Sequence, residues 1–377
     1  ALKYNGLIIT GAAGSGKSHI IKEIVRLYKD NNKTVMVTAT TGKAAQRIQK
    51  LSEIKARTIH RFLGINHFSE PKYNRTNPIK HDLLIIDEAS LIDAELMESI
   101  LKAITPLTTL ILIGDPNQLP SIKPGNVLAD IQRSEFKVIK LTEIHRQEAG
   151  SGIITKARDV LKGKIPKLIN QNNNRVLFYN SDSATIAQTV EELINTLSQQ
   201  LNYDPLQDIQ VITPFNDQIG GAAQLNGFLQ KKLLAPSHEY LTYRNKTFNI
   251  GDKVIQLSNN YDKKVFNGEI GLIKDINLQQ KSLVINFADR SINYVYQEKD
   301  QIDLAYACTV HKIQGSGYPI VIMALPERKN PILTRNLIYT AMTRAKELFI
   351  FVGSKDILEY AIQRGSNRRT SLFLDSN

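Results

Sequence analysis

A glycine-rich run near the start of the chain has the residue types and the spacing of a phosphate-binding loop. The run consists of Gly11, Ala12, Ala13, Gly14, Ser15, Gly16, Lys17 and Ser18. It fits the pattern G-x-x-x-x-G-K-[ST] and lies between a predicted strand and a predicted helix, which is the context that the pattern requires. Its glycines let backbone amides surround phosphate oxygens, and the start of the helix adds a favourable dipole. We expect these residues to bind a nucleotide, with Lys17 at the β- and γ-phosphates and Ser18 on Mg²⁺.

Two acidic residues, Asp87 and Glu88, end the apolar stretch that begins at residue 83. A buried strand of this kind delivers them to the carboxyl edge of a parallel sheet, where ligands bind in open α/β folds. We expect Asp87 to hold Mg²⁺ and Glu88 to activate the attacking water. Gln118 follows a second apolar stretch, residues 109–113, and is predicted to contact the γ-phosphate, although the residues before it also suit an ordinary turn.

Nucleotide hydrolysis often needs a further cation that stabilises the charge of the transition state. Arg146, in LTEIHRQ, and Arg344, in YTAMTRA, are candidates for this role. Spacing alone does not distinguish them from the other basic residues of the chain.

The composition excludes several classes of protein. The chain has 377 residues, of which 42% are hydrophobic and 22% are charged, so it can form packed cores and is not a disordered chain. A single cysteine, Cys308, rules out an internal disulfide and a cysteine-based zinc cluster. No apolar run approaches the roughly 18 residues of a membrane span, and we expect a cytoplasmic protein with no membrane partner. The net charge of +12 favours a polyanionic partner.

The first third of the chain predicts a parallel sheet with helices on both faces. Apolar runs that read as strands occupy residues 6–10, 34–38, 83–87 and 109–113, and helical patterns occupy residues 17–28, 42–50 and 94–104. The polar residues 64–81 contain two prolines and three asparagines, and they predict an inserted loop or small hairpin.

A second α/β region follows, and an all-β unit interrupts it. Short alternating segments between residues 249 and 301 predict a small barrel. The α/β pattern returns at residues 304–310, 320–324, 337–344 and 348–352, so we expect the barrel to be an insertion in the second α/β domain.

Ten motifs follow one another from residue 11 to about residue 347, and they cover most of the chain. The series reads GAAGSGKS, ATTGKAAQRI, ARTIHRFLGI, LLIIDEAS, GDPNQLPSIKPGNVLADI, LTEIHRQ, VITPFN, GDKVIQLSNNYDKKVFNGEIG, AYACTVHKIQGSGYP and NLIYTAMTRAKE. In this order the motifs resemble those of superfamily 1 DNA helicases of the RecD-like branch.

The resemblance implies an α/β fold with two RecA-like P-loop NTPase motor domains, the first at residues 1–145 and the second at 146–248 and 302–377. It implies a pin-like insertion at residues 64–81 and an SH3-like β-barrel at 249–301. It further implies a helicase that translocates 5′ to 3′ on single-stranded DNA and separates duplexes, acts as a monomer, and hydrolyses ATP with Mg²⁺ between the two motor domains.

The resemblance assigns roles residue by residue. Lys17, Ser18, Asp87 and Glu88 match the first two helicase motifs, and Gln118 matches the γ-phosphate sensor. Arg146 and Arg344 match the two arginines that complete the ATP site, and Gly315 matches a motif that links nucleotide state to DNA grip. The matched DNA-contact residues are Thr40, Thr41, Thr58, His60, Thr213, Pro214, Asn216, Thr309 and His311, and Asn267, near the start of the barrel, is predicted to line the exit path of the DNA. The residues themselves also allow other roles, because His60 suits a protein core, Thr213 and Pro214 suit a strand-ending turn, and Asn267 suits a solvated loop.

The chain departs from the family pattern in three places. No glutamine-bearing segment that would recognise adenine is visible before Gly11, Gly317 stands where the family has an acidic residue, and the N-terminal region of longer RecD-like proteins is not seen.

Three functions remain open. The first is a DNA helicase that acts on single-stranded DNA and on junctions of single and double strands. The second is an ATPase stimulated by single-stranded DNA that remodels nucleic-acid complexes but separates strands poorly. The third is a non-motor nucleotide-binding module such as a small-molecule kinase, against which the second α/β region argues.

Overall fold

The computed structural model of the chain describes residues 4–52, 54–65, 71–134, 136–142, 152–166, 175–234, 239–288 and 290–365. Contacts within the chain divide it into two units, the first containing Ala1–Gly150 and the second Ser151–Gly365. The boundary predicted after residue 145 falls in the segment 143–151, outside the described residues.

The first unit is built on a six-stranded parallel sheet with the strand order β3-β2-β4-β5-β1-β6. Its strands are β1 (Gly6–Gly11), β2 (Val35–Ala39), β3 (Ala56–Thr58), β4 (Leu83–Asp87), β5 (Thr109–Gly114) and β6 (Lys137–Leu141). Its helices are α1 (Lys17–Asp30), α2 (Gly42–Ser52), α3 (Ile59–Leu63), α4 (Ala94–Ala103) and α5 (Val127–Ile131), with a 3₁₀ helix at Ala89–Leu91.

Helices cover both faces of this sheet, as the alternation of apolar runs predicts. One apolar core joins the sheet to α1 and α2, and another joins it to α3, α4 and α5. The central strands are apolar on both faces because each face is buried, and every residue of β4 is buried. The apolar runs of the sequence do not predict strands β3 and β6, because these strands lie at the sheet edges and are short or partly exposed.

The predicted insertion at residues 64–81 contains no β-strand within its described part, residues 64–65 and 71–81. The side-chain oxygen of Asn74 accepts hydrogen bonds from the backbone amides of Thr76 and Asn77, both at 3.0 Å, and closes a turn. The ring of Tyr73 stacks on Phe62 of α3 at 5.2 Å between centroids. The described part is therefore a loop packed on α3, and residues 66–70 lie outside it.

The second unit combines a parallel sheet with two antiparallel ones. Its strands are β7 (Val176–Asn180), β8 (Ile209–Thr213), β9 (Tyr240–Tyr243), β10 (Lys246–Asn249), β11 (Lys253–Gln256), β12 (Ile270–Asn277), β13 (Ser282–Phe287), β14 (Arg290–Tyr294), β15 (Ile302–Leu304), β16 (Ala307–Thr309), β17 (Tyr318–Leu325) and β18 (Ala345–Gly353). Its helices are α6 (Gly152–Leu161), α7 (Ile186–Leu201), α8 (Ala222–Leu233), α9 (Arg335–Met342) and α10 (Lys355–Gln363), with a 3₁₀ helix at Tyr296–Gln301. The parallel sheet has the order β16-β8-β17-β18-β7. Strands β9 and β10 form a separate two-stranded hairpin, and the five-stranded antiparallel sheet, called the antiparallel sheet below, has the order β14-β13-β12-β11-β15.

The antiparallel sheet is inserted between α8 and β16, as the change of pattern near residue 249 predicts. The segment 304–310, which reads as one element in the sequence, is divided between the two sheets. Strand β15 pairs with β11, whereas β16 pairs in parallel with β8. Among the described helices of both units, none has the length and hydropathy needed to cross a lipid bilayer.

Buried polar side chains hold the antiparallel sheet to the parallel one. Asp252 is fully buried, and its carboxylate accepts hydrogen bonds from the Tyr306 hydroxyl and from Gln230 of α8, both at 2.7 Å. Burial raises the pKa of Asp252 above its ordinary value. These hydrogen bonds favour the ionised form and so make the rise in pKa smaller. The ammonium of Lys253 donates to the carbonyl oxygen of Ile209 at 3.0 Å, at the start of β8. These bonds tie the start of the insertion to the parallel sheet.

We expect Tyr306→Phe to lower the free energy of unfolding by about 1–3 kcal/mol, because it removes a hydrogen-bond donor from a buried carboxylate. Urea unfolding followed by circular dichroism measures the change. Tyr240→Phe is the matched control, since Tyr240 is 53% exposed. Equal stability of the Tyr306 and Tyr240 variants would contradict a stabilising role for the Asp252 bonds.

Candidate nucleotide site and DNA-contact residues

The glycine-rich loop connects β1 to α1, which is the context that the motif requires. Gly14 and Gly16 have φ angles of 84° and 82°, in the left-handed region that glycine adopts without strain. A Cβ on Gly11 would overlap the hydroxyl of Ser15 and approach the Leu141 Cβ to 3.0 Å. The loop therefore closes tightly on itself and needs glycine at these positions.

The loop has the donors of an anion-binding site. The ammonium of Lys17 donates to the carbonyl oxygens of Gly11 at 2.6 Å and Ala12 at 2.9 Å, which holds it inside the loop. The hydroxyl oxygen of Ser15 is buried and makes no hydrogen bond to the described residues. A buried hydroxyl at the N-terminus of a helix is suited to donate to a phosphate oxygen.

Asp87 and Glu88 lie at the carboxyl end of β4, one strand away from the loop, because β5 separates β4 from β1. Asp87 is fully buried, and Glu88 is 5% exposed. Burial and the neighbouring Glu88 raise the pKa of Asp87, and Arg47 and Lys17 oppose this rise. Glu88 has a φ angle of 53°, an uncommon backbone conformation for a residue with a side chain.

The acids fit a magnesium ion. The Oδ1 atom of Asp87 is buried and has no hydrogen-bond partner in the described part of the chain, so one lone-pair-bearing oxygen is left for a ligand. Among the described residues, no group of three or more His, Cys, Asp and Glu side chains is placed to hold a metal ion. Proteins usually bind Mg²⁺ through one or two carboxylates together with substrate phosphates and water, and Asp87 is a carboxylate of this kind. Ser18, in the first turn of α1, supplies a hydroxyl to the same region of the loop.

Arg47 contacts the acidic pair, although the sequence motifs did not predict it as a site residue. Its Nη2 atom donates to Asp87 Oδ2 at 3.0 Å and to Glu88 Oε1 at 3.4 Å. Burial lowers the pKa of Arg47, but the two carboxylates more than offset this and raise the pKa above its ordinary value. The sequence carries a weak signal, because Arg47 is the ninth residue of the motif ATTGKAAQRI on a predicted helix, but nothing in its spacing points to Asp87.

Thr40 and Thr41 lie beside these acids, at the end of β2. The backbone amide of Thr40 donates to the Asp87 carbonyl oxygen at 3.2 Å, and its hydroxyl donates to the Glu88 carbonyl oxygen at 3.0 Å. The hydroxyl of Thr41 accepts from the amide of Ala44 at 3.2 Å, in the first turn of α2.

Gln118 is buried after β5, and its backbone amide donates to the Asp115 carbonyl oxygen at 3.1 Å.

Thr58 and His60 begin α3. The hydroxyl of Thr58 accepts from the amide of Arg61 at 3.3 Å and caps the helix, which explains the residue type without DNA. Partial burial lowers the pKa of His60, so its imidazole is neutral near pH 7. Their contact with DNA stays a prediction.

The second unit brings Thr213 and Thr309 together, because these residues are register partners at the ends of β8 and β16. Thr213 is fully buried and donates its hydroxyl to the Gly220 carbonyl oxygen at 3.1 Å. Pro214 is buried, and Asn216 is exposed. Thr309 and Asn216 are thus the more accessible members of this group.

His311 and Gly315 follow β16. Burial lowers the pKa of His311, and Gly315 has a φ angle of 78°.

The backbone amide of Asn267 donates to Asn259 Oδ1 at 2.9 Å. A Cβ on the next residue, Gly268, would lie 3.2 Å from the carbonyl oxygen of Lys312. The loop that carries Asn267 therefore touches the segment of His311.

Arg344 is 5% exposed, and its guanidinium is held within its own unit. It donates to the carbonyl oxygens of Thr340 and Ser316, both at 3.2 Å, and to the Thr343 hydroxyl at 3.0 Å. These bonds connect Arg344 to the segment that contains Gly315. The other predicted arginine, Arg146, lies outside the described residues.

Three family models match the chain. They are the AAA domain at residues 3–180, the ATP-dependent RecD-like DNA helicase SH3 domain at 225–287 and the UvrD-like helicase C-terminal domain at 304–352. The match to the SH3 domain begins within α8 and covers strands β9 to β13.

Curated relatives match over nearly the whole chain. The ATP-dependent RecD2 DNA helicase of Deinococcus radiodurans is 32% identical over 98% of this chain, which spans 50% of that protein. The RecD subunit of the RecBCD enzyme of Mycolicibacterium smegmatis is 24% identical over 99% of this chain and 72% of its own length. The chain thus spans about half the length of the RecD2 protein that it matches.

Solved structures show the same fold. Pif1 helicase from Bacteroides, in complex with ADP-AlF3 and single-stranded DNA, has a TM-score of 0.61 at 19% identity and covers 96% of this chain and 91% of its own. Pif1 helicase from Candida albicans has a TM-score of 0.52 at 19% identity, with 95% coverage of each chain.

We expect Gly11→Ala to weaken nucleotide binding at least about tenfold, because the added methyl group overlaps Ser15 and distorts the loop. Fluorescent ADP binding measures the affinity. Gly227→Ala is the control, since nothing lies within 4 Å of a Cβ at this position in α8. There the change should stabilise the protein by about 1 kcal/mol. Equal ADP affinities of the two variants would contradict the predicted role of the tight loop.

Proposed function

We propose that this chain is the motor of an ATP-dependent DNA helicase of the RecD-like branch of superfamily 1, and its three family-model matches and its similarity to a RecD2 helicase support this proposal. One observation carries the proposal. The phosphate loop and the pair Asp87–Glu88 lie at the same edge of one parallel sheet, and a buried oxygen of Asp87 is left for a metal ion. Such an edge is where open α/β sheets bind and hydrolyse nucleotides.

In this proposal, ATP is the substrate and its phosphates lie in the loop. Backbone amides, Lys17 and the Ser15 hydroxyl bind phosphate oxygens, and Ser18 and Asp87 hold Mg²⁺. When bound, the ion neutralises charge on the phosphates as it develops. Glu88 accepts a proton from the water that attacks the γ-phosphorus, and ADP leaves with the bridging oxygen. Gln118 contacts the γ-phosphate, and Arg146 and Arg344 stabilise the transition state, in the roles that the resemblance implies.

Single-stranded DNA is the polyanion that we propose as partner. The net charge of +12 favours binding to phosphates. The threonine hydroxyls and asparagine amides at the ends of β2, β8 and β16 suit phosphate positioning, which carries no sequence information. We further propose movement from 5′ to 3′, action as a monomer on junctions of single and double strands, and a cytoplasmic location, all as the resemblance implies.

A second candidate is an ATPase that moves along single strands but separates duplexes poorly. The described part of the insertion favours it, since residues 71–81 form a loop without strand pairing. A rigid pin would wedge a duplex apart, whereas a loop of this kind offers fewer fixed contacts.

We expect single-stranded DNA to stimulate ATP hydrolysis strongly. Glu88→Gln should reduce turnover at least about 100-fold, because it removes the proton acceptor. It should leave fluorescent ATP binding intact, whereas Lys17→Ala should weaken binding as well. A phosphate-release assay measures turnover, with Lys22→Ala on the exposed side of α1 as the control. Turnover that is indifferent to DNA would overturn the motor proposal.

We expect strand separation of a duplex with a 5′ single-stranded tail and none of a duplex with a 3′ tail, because a 5′-to-3′ motor reaches the duplex only from a 5′ tail. A gel assay with labelled duplexes measures this. Displacement of streptavidin from a biotinylated single strand, without separation of either duplex, would support the second candidate instead. Separation of the 3′-tailed duplex alone would overturn the proposed direction.

A further inference from the structure

The segment Thr40–Arg47 contacts the acidic pair Asp87–Glu88 through both backbone and side chains. Thr40 bonds to the carbonyl oxygens of both acids, and Arg47 bonds to both carboxylates. We call this segment the threonine–arginine segment. It contains two predicted DNA contacts, Thr40 and Thr41, and no residue that sequence analysis placed at the nucleotide.

The segment behaves as one body. The Thr41 hydroxyl caps the first turn of α2, and the Ala45 amide donates to the Thr41 carbonyl oxygen at 3.1 Å. Ala44, Ala45 and Ile48 are buried in the core that α2 shares with α1. Because these contacts join Thr41 to the helix that carries Arg47, we expect a shift at Thr41 to move Arg47 as well.

Arg47 joins groups of unequal exposure. Its side chain is 40% exposed, whereas those of Asp87 and Glu88 are 0% and 6% exposed. Two buried carboxylates on adjacent residues repel each other, and a shared guanidinium offsets this repulsion. The bond from Arg47 to Asp87, at 3.0 Å, is shorter than the bond to Glu88, at 3.4 Å. A small displacement of Arg47 therefore lengthens the bond to one carboxylate and shortens the bond to the other.

The hydroxyl of Thr40 has one hydrogen to donate. It donates to the carbonyl oxygen of Glu88, whose backbone has the uncommon φ of 53°. A DNA phosphate that accepts this hydrogen removes the bond that helps to hold Glu88 in this conformation. A bond from the Thr40 hydroxyl to a DNA phosphate and its bond to Glu88 are therefore alternatives.

We propose that Arg47 is a positioning residue through which single-stranded DNA at Thr40 and Thr41 adjusts the carboxylates that serve Mg²⁺-nucleotide. The inference rests on the proposed function and adds the route by which DNA acts on the nucleotide site. With DNA bound, Thr40 releases Glu88, Arg47 stays with Asp87, and Glu88 turns toward the attacking water. Without DNA, Arg47 bridges both acids and keeps Glu88 from that position.

Coupling of this kind is reciprocal, so DNA and Mg²⁺-nucleotide must alter each other's affinity by the same factor. The experiment measures binding of fluorescent ADP at a series of Mg²⁺ concentrations, with and without oligothymidylate. The ratio of the two ADP affinities is the coupling factor. We expect a factor of about 5 or more in the unsubstituted chain and about 1 in Arg47→Ala.

Two further variants sharpen the test. Arg26→Ala on α1 removes an arginine whose side chain is 68% exposed, and it should keep the coupling of the unsubstituted chain. Arg47→Lys keeps the charge but loses the planar fork, so its coupling should lie between the two extremes. Oligothymidylate affinity without nucleotide is measured for each variant, so that a change in DNA binding itself is separated from a change in the coupling factor.

Full coupling in a folded Arg47→Ala variant would overturn the inference. If circular dichroism shows that this variant does not fold, Arg47→Lys decides, and coupling equal to that of the unsubstituted chain overturns the inference. DNA-stimulated ATP turnover in the unsubstituted chain without any coupling of ADP and DNA binding would overturn it and leave the proposed function standing. Absence of DNA stimulation would overturn the proposed function itself.

Discussion

The first unit depends on the placement of two carboxylates at the end of a strand that is buried on both faces. Leu84, Ile85 and Ile86 are fully buried, and the next residue in β4 is an equally buried aspartate. Burial of a charge in an apolar interior is costly unless other groups compensate for it. Arg47 provides a cation and Thr40 bonds to the adjacent backbone, while the Oδ1 atom of Asp87 has no hydrogen-bond partner in the described part of the chain.

Much of this arrangement follows from the sequence. The four apolar runs of the first unit became β1, β2, β4 and β5, because a strand buried on both faces must be apolar throughout. The phosphate loop and the acids were predictable as well, since each motif sits where a strand ends. The RecD-like family and the α/β fold with an SH3-like insertion were predicted from the order of the motifs.

Other features depend on tertiary contacts that spacing does not encode. Arg47 and Asp87 are 40 residues apart, and only the packing of α2 brings them together. The edge strands β3 and β6 lack a continuous apolar run, so local patterns could not identify them. Thr41 and Thr58 show that a hydroxyl which matches a DNA-contact motif also serves as a helix cap, and sequence cannot separate the two roles.

The junction of the antiparallel sheet has a consequence for how such a protein can change in evolution. In the antiparallel sheet the first strand along the chain, β11, is a neighbour of the last strand, β15, since Val254 pairs with Leu304. Asn226 of α8 donates to the carbonyl oxygens of Leu304 and Ala307 and accepts from the Ala307 amide at 2.8 Å, so helix α8 holds the chain where it returns to the parallel sheet. Joining two points already held side by side requires little loop-closure entropy. The position therefore tolerates inserts of different length, and a lineage can lengthen, exchange or lose this module while the parallel sheet keeps its register.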